Sequence, residues 1–147
     1  MDENELKELL GKFIELTLNY YYDYQDQSVS RKRFRMNSLS FNILFRLYMS
    51  REKKLTIMDL SEKMQISKPQ LIKLVNTLED EKLVLRERFR ENRRIVYLSL
   101  NENGVIYMNG ILDGLKHSFC EKLLQQKAID QDRLADALLK ITTAMDN

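Results

Sequence analysis

Two helix-start signals in close succession place the strongest constraint on the fold of this chain. TIMD (56–59) and SKPQ (67–70) both have the capping-box pattern, in which the first side chain accepts a hydrogen bond from an amide of the first turn. Pro69 falls in that first turn, where its missing N–H costs no hydrogen bond. The second helix then carries an apolar series at helical spacing, formed by Leu71, Leu74, Val75 and Leu78. Two short helices joined by a tight turn predict a helix-turn-helix.

The periodicity changes from helical to alternating directly after this motif. Residues 94–100, RIVYLSL, have the composition of a strand, and residues 84 to about 88 can form the other arm of a hairpin. The charged tip of this hairpin is expected at about 89–93. Asn101 is a suitable N-cap for the helix that follows. A helix-turn-helix followed by a basic hairpin indicates a winged helix.

Helix breakers are rare, because the chain has one proline and four glycines. The predicted fold is therefore mainly α with a small β-hairpin wing, in a single domain over residues 1–147. Apolar stripes predict four further helices. Their positions are Leu6, Leu10, Phe13, Thr17, Tyr20 or Tyr21 and Tyr24 in the first; Phe41, Leu44, Phe45 and Tyr48 in the second; Val105, Met108, Ile111, Leu112, Leu115 and Phe119 in the next; and Leu134, Leu138, Ile141 and Met145 in the last.

Positive charge is concentrated in two places, although the formal net charge is only +2. One cluster is Arg31, Lys32, Arg33 and Arg35, and the other is the hairpin with Arg86, Arg88, Arg90, Arg93 and Arg94. Such local concentration favours contact with a polyanion, and the alternative is a solvated surface. For Arg86 and Arg88, ion pairs with Glu87, Glu91 or the helices are an equally good interpretation.

The polar side of the second helix has side chains that suit DNA recognition. In a helix-turn-helix this helix enters the major groove, where lysine bonds guanine and glutamine or asparagine pairs with adenine. Amides at a helix start, with a capping serine, can hold a phosphate. The predicted DNA-binding residues are Ser67, Lys68, Gln70, Lys73, Asn76, Thr77, Arg90, Arg93 and Arg94.

The central part of the chain resembles the MarR family of bacterial winged-helix transcription regulators. The resemblance lies in two consecutive stretches, LTIMDLSEKMQISKPQLIKLVNTLEDEKLV and LRERFRENRRIVYLSLNENG. The matching residues include Leu60, Glu62, Met64, Ser67, Val75, Leu78, Glu79, Leu83, Val84, Arg94, Leu100 and Gly104. Asn101 replaces the family's threonine, and Asn92 replaces an aspartate that pairs with the wing arginine. Without that pair, we expect the wing to be more mobile than in relatives.

The resemblance implies a cytoplasmic bacterial repressor that binds a pseudo-palindromic double-stranded DNA operator as a homodimer. Residues of about 38–104 would form the DNA-binding lobe, and residues of about 1–35 and 105–147 the dimerisation helices. It also implies a small aromatic or anionic effector, whose pocket Tyr20, Tyr21 and Tyr24 would line; packing at the dimer interface is the alternative for these tyrosines. The rival function is a winged helix that binds proteins, with its basic wing docked on an acidic partner.

Enzymatic and metal-dependent functions have no support in the sequence. No nucleophile–base pair, metal-ligand cluster or glycine-rich phosphate loop is present, so we predict no enzyme, no cofactor and no metal. His117 is the single histidine and Cys120 the single cysteine, which suits a reducing cytoplasm. Beside Phe119, Cys120 is expected to be a buried small hydrophobe rather than an oxidation sensor. No apolar run is long enough to span a membrane.

Overall fold

The computed structural model describes residues 1–28 and 34–146, and for residues 26–28 it describes the backbone only. The predicted basic cluster at Arg31, Lys32 and Arg33 lies outside the described residues. Two compact units are present, Met1–Leu112 and Asp113–Asn147. In chain order the elements are α1 Glu3–Ser28, α2 Leu39–Met49, β1 Lys54–Thr56, α3 Ile57–Met64, α4 Lys68–Asp80, β2 Val84–Arg88, β3 Val96–Leu100, α5 Glu102–Leu124 and α6 Gln131–Met145.

The two capping serine and threonine residues behave as the sequence predicts. Thr56 Oγ1 accepts a hydrogen bond from the Asp59 amide at 3.0 Å, and Ser67 Oγ accepts one from the Gln70 amide at 3.3 Å. Between them, α3 ends where Gln65 adopts a left-handed conformation with φ of 53°. That residue turns the chain out of α3 and directly into the cap of α4, which confirms the helix-turn-helix.

The core of the first unit lies where α2, α3 and α4 pack against the sheet. Its fully buried side chains include Ile43, Leu44, Leu47, Leu60, Leu71, Val75, Leu78 and Leu98. Phe45 shares a face of α2 with Phe41, as predicted, because the two rings stack with their centres 6.4 Å apart. Phe41 is buried, whereas Phe45 at the edge of this face is 39% exposed. Helix α2 contacts α4, β1 and β3 through a face that includes Ile43 and Leu47.

The three strands form one antiparallel sheet in the order β1-β3-β2. Hairpin pairing runs from Val84 opposite Leu100 to Arg88 opposite Val96, which confirms the wing. Strand β3 begins two residues later than predicted, because Asn92 and Ile95 close the tip with a backbone hydrogen bond of 3.0 Å. Strand β1 was not predicted from the sequence. Its three residues are too few to show an alternating pattern, and its partner strand, β3, is distant in the chain.

The start of α5 is fixed by its cap and by a close backbone contact. Asn101 Oδ1 accepts from the Gly104 amide at 2.8 Å, while Asn101 Nδ2 donates to the Lys82 carbonyl at 2.7 Å. The predicted N-cap is therefore confirmed. Gly104 lies so close to the end of the hairpin that a Cβ there would be 2.1 Å from the Leu83 carbonyl oxygen.

Helix α1 leaves a long series of large apolar side chains exposed. These include Leu6, Leu9, Leu10, Phe13, Ile14, Leu16 and Leu18, each at least 42% exposed. Within the described residues, the predicted stripe through Leu6, Leu10 and Phe13 is thus left largely uncovered. Apolar surface of this extent on one helix is typical of an interaction face.

The second unit contains the C-terminal part of α5 and all of α6. Leu138, Leu139 and Ile141 of α6 are exposed. The expectation that Cys120 is buried is wrong, because the structure leaves it exposed while its neighbour Phe119 is half-buried. Consecutive helical residues point about 100° apart, so the burial of one does not extend to the next. Across the described part of the chain, no helix combines the length and apolarity needed to span a bilayer.

Candidate nucleic-acid interface

Helix α4 separates its apolar and polar residues cleanly. Leu71, Val75 and Leu78 are completely buried. The side chains predicted to contact DNA all lie on the exposed side, namely Lys68, Gln70, Lys73, Asn76 and Thr77. The packing of α3 against α4 therefore holds this polar face outward and free of the core.

The N-terminus of α4 suits an anion. Ser67 uses its oxygen as an acceptor for the Gln70 amide, so its hydroxyl hydrogen can still be donated. The Lys68 amide and the helix dipole favour negative charge at this end, whereas Pro69 has no N–H and the Gln70 amide is bonded to Ser67. The Lys68 side chain is exposed. A phosphate oxygen could thus accept hydrogen bonds from the backbone and from Ser67 together.

Two of the predicted DNA-binding side chains on α4 are partly engaged within the chain. Asn76 Oδ1 accepts from Arg86 Nη2 at 2.6 Å, and Thr77 Oγ1 donates to the Lys73 carbonyl at 3.3 Å. These bonds fix how each side chain is presented. The Lys68, Gln70 and Lys73 side chains have no such restraint within the described residues.

The five hairpin arginines divide into two groups. Arg86 forms an ion pair with Glu79 of α4, so the helix-pairing alternative is confirmed for this residue. Arg88 donates from Nη1 to the Arg93 carbonyl at 3.1 Å, an oxygen of the wing itself and not an acidic side chain. The remaining three, Arg90, Arg93 and Arg94, are exposed, and their guanidinium groups pair with no acid within residues 1–28 and 34–146.

Asn92 shapes the wing tip through backbone contacts. Its side-chain oxygen accepts from the Arg94 amide at 3.1 Å, and its carbonyl accepts from the Ile95 amide at 3.0 Å. An asparagine cannot form the ion pair with Arg94 that an aspartate would form, so that guanidinium is left to bind elsewhere. The higher wing mobility expected from this replacement stays a prediction.

Aromatic contacts stabilise the wing near its tip. The rings of Phe89 and Tyr97 meet edge to face at 6.1 Å, and Lys54 Nζ lies 5.0 Å from the Tyr97 ring centre. Tyr97 is thus held by both the tip and β1. The sequence offered no signal for this cluster, because its members come from three separate segments.

The tyrosine run of α1 is anchored to the segment before α2. Tyr21 donates its hydroxyl to the Met36 carbonyl at 2.9 Å. Burial, and secondarily Tyr22, raise the pKa of Tyr21, so the phenol remains protonated as a donor. Tyr20 and Tyr24 are half-buried. The role of these three tyrosines as an effector pocket stays a prediction.

Sequence reasoning missed Glu79 as part of this surface. Glu79 and Arg86 lie on different elements and carry opposite charges, and their ion pair joins α4 to the wing. Only the packing of β2 against α4 brings them together. Among the described residues, no group of three or more histidine, cysteine, aspartate or glutamate side chains could hold a metal ion.

Comparison with known proteins supports the assignment of this surface to a winged helix. Residues 36–95 match the family model of the MarR family. These residues include α2, the helix-turn-helix and the wing up to the start of β3. No curated protein shows a significant match to the chain.

Solved structures extend the likeness of the fold beyond that segment. The transcriptional regulator Tm0710 from Thermotoga maritima superposes with a TM-score of 0.76 at 19% identity, covering 95% of each chain. A MarR family protein from Bacillus stearothermophilus gives 0.70 at 21% identity, covering 100% of this chain and 99% of that one. A MepR mutant from Staphylococcus aureus, bound to an oligodeoxyribonucleotide, gives 0.62 at 18% identity, covering 92% and 97%. The part of this chain that is similar to the MarR family, residues 36–95, is thus its winged helix-turn-helix.

Proposed function

We propose that this chain is a sequence-specific transcriptional regulator that binds double-stranded DNA, acting as a repressor in the bacterial cytoplasm. The observation that carries the proposal is the capped helix α4, whose exposed polar face belongs to the same unit as a wing with three exposed arginines that pair with no acid among the described residues. The MepR mutant with a similar fold is bound to an oligodeoxyribonucleotide. Enzymatic activity is not part of the proposal.

The DNA contact expected for each residue follows from the chemistry of its side chain. Lys68, Gln70 and Lys73 would contact base edges in the major groove. The Ser67 hydroxyl and the Lys68 amide would fix the position on a phosphate. Arg90, Arg93 and Arg94 would lie along the adjacent minor groove, where a narrow groove concentrates negative potential. Asn76 and Thr77 would contribute from the next turn of α4.

The active form would be a two-fold homodimer. The exposed apolar side chains of α1 and those of α6 each give a surface that a second copy could bury. A two-fold dimer would bind a pseudo-palindrome whose half-sites lie about one turn of DNA apart, roughly 34 Å. A small aromatic or anionic effector bound near Tyr20, Tyr21 and Tyr24 would then change the affinity for DNA.

The test is a titration of DNA from the chain's own promoter at several salt concentrations. A regulator should prefer one duplex over a scrambled duplex, and log K should fall linearly with log salt in proportion to the number of phosphates contacted. Equal affinity for both duplexes would contradict the proposal. Binding to an acidic protein without preference among duplexes would instead support the rival function, a protein-interaction module.

Replacing Lys73 should weaken recognition at one base position. We expect Lys73→Ala to reduce discrimination there by about 1–3 kcal/mol, because the exposed Lys73 is a candidate donor to base acceptors. Competition between operators with single base changes measures this effect. Lys63→Ala, which removes an exposed lysine from α3, is the matched control. An equal loss on specific and random DNA would mean that Lys73 contacts only phosphate.

Replacing Arg94 should weaken DNA binding without affecting folding. Its guanidinium has no acidic partner in the described residues and is exposed, so Arg94→Ala removes a DNA contact and no internal one. We expect a several-fold lower affinity, a shallower salt dependence and an unchanged melting temperature. A lower melting temperature, measured by circular dichroism, would identify Arg94 as a structural residue.

A further inference from the structure

Arg86 connects the wing to α4 through a single nitrogen. Its Nη2 atom donates to Asn76 Oδ1 at 2.6 Å and also to Glu79 Oε1. A guanidinium Nη carries two hydrogens, so both bonds form at once. The Arg86 side chain is 29% exposed in this contact.

The register of the hairpin explains why Arg86 points toward α4. Arg86 lies opposite Leu98, and Val84 lies opposite Leu100. Side chains alternate between the two faces of a sheet, so Arg86 shares the inner face with the buried Val84 and Leu98. Strand β2 contacts α4, which brings the guanidinium to Asn76 and Glu79.

This contact fixes the orientation of the Asn76 amide. Arginine has donors only, so it must face the oxygen of the amide and not its nitrogen. The two Nδ2 hydrogens of Asn76 have no partner among the described residues, and Asn76 is exposed on the polar face of α4. Asn76 is therefore presented as a hydrogen-bond donor.

We propose that Arg86 is a positioning residue for DNA specificity, which sets Asn76 to recognise a base edge rich in acceptors. Guanine offers such an edge through N7 and O6, and thymine through O4. Bidentate pairing with adenine would need both ends of the amide directed to one base, whereas Arg86 directs Oδ1 to the wing. The inference rests on the proposed function and replaces the adenine pairing predicted for Asn76.

Glu79 is the anchor of this arrangement. Its carboxylate holds the guanidinium from the α4 side, and it carries a negative charge near the surface that would face DNA phosphates. Removing it should therefore raise the affinity for random duplex through weaker repulsion. It should at the same time lower discrimination at the base pair contacted by Asn76, because Arg86 is no longer held.

The experiment measures base preference at every operator position by competition between single-base variants of the duplex. Asn76→Ala first locates the base pair that Asn76 contacts. We expect Arg86→Gln to reduce discrimination at that same position about fivefold or more, the lower end of what one good base contact contributes. Asn76→Ala combined with Arg86→Gln should lose no more there than Asn76→Ala alone.

Arg88→Gln is the matched control. Arg88 lies on the same strand and the same sheet face as Arg86 and carries the same charge. Among the described residues, its guanidinium bonds only to the Arg93 carbonyl. Its removal should lower affinity for all sequences alike and leave the base-preference profile unchanged. A profile change at the Asn76 position with Arg86→Gln, and none with Arg88→Gln, separates positioning from simple loss of charge.

If Arg86→Gln does not fold, Glu79→Ala provides the same test, since it should also lower discrimination at the Asn76 position. Glu79→Gln retains a hydrogen-bond acceptor for Arg86 and should show the wild-type base-preference profile. An unchanged preference at the Asn76 position in both Arg86→Gln and Glu79→Ala would overturn the inference. So would an Asn76→Ala profile identical to wild type at every position. A wild-type chain without any sequence preference would overturn the proposed function itself, and this inference with it.

Discussion

Gly104→Ala should destabilise the chain by about 3 kcal/mol or more, beyond the usual range for one added methyl in a packed region. The new Cβ would be 2.1 Å from the Leu83 carbonyl oxygen and 3.0 Å from a Leu100 methyl. The carbonyl cannot move away cheaply, because it accepts a hydrogen bond from the Asn101 amide at 3.2 Å. Either that bond or the start of α5 must therefore shift. Urea unfolding followed by circular dichroism measures the change.

Gly110→Ala is the control for that prediction, in the same helix α5. A Cβ at Gly110 would meet nothing within 4 Å among the described residues, so alanine should stabilise the helix by about 0.5–1 kcal/mol. A loss of stability with Gly110→Ala would indicate that a second copy lies against α5 there. If Gly104→Ala unfolds at the same urea concentration as wild type, the close contact with Leu83 is not formed in solution.

Phe13→Asp should abolish the proposed dimer and with it most of the affinity for the proposed operator. Phe13 is 48% exposed and lies on the apolar stripe of α1 with Leu6 and Leu10, so its replacement removes nothing from the core of the chain itself. A carboxylate buried at a dimer interface without a partner costs several kcal/mol. Losing the second half-site should then weaken operator binding by about 100-fold or more. Sedimentation and fluorescence anisotropy measure the two effects.

Lys12→Asp provides the matched control, since it places the same carboxylate one residue away on the polar side of α1. We expect that variant to remain a dimer and to bind the operator with nearly wild-type affinity. Circular dichroism should show the same helix content in both variants. A dimeric Phe13→Asp variant with unchanged affinity would exclude the α1 stripe from the interface.

The sequence predicted the parts of the site that depend on neighbouring residues. Capping by Thr56, Ser67 and Asn101 is a contact over three residues, so its pattern is visible in the sequence and the structure confirms each cap. The exposed side of α4 follows from helical spacing in the same way, because the buried positions Leu71, Val75 and Leu78 dictate which side faces outward.

Contacts between distant segments set the limit of that reasoning. The pairing of β1 with β3 and the ion pair of Arg86 with Glu79 join residues whose local patterns say nothing about each other. The exposure of Cys120 also depends on which elements pack nearby, and its position beside Phe119 gave the wrong expectation.

The sequence by itself therefore determined the helix-turn-helix, the hairpin after it and the polar face of α4, because caps, helical spacing and strand alternation are local properties of the chain. Only the tertiary structure decided which hairpin arginines remain available. Strand register places Arg86 on the inner face, where Glu79 and Asn76 bind it, and leaves Arg90, Arg93 and Arg94 exposed at the tip. All five arginines carry the same charge, so the sequence does not distinguish them. The packing of β2 on α4 assigns Arg86 to the proposed positioning of Asn76, while the tip arginines can contact DNA.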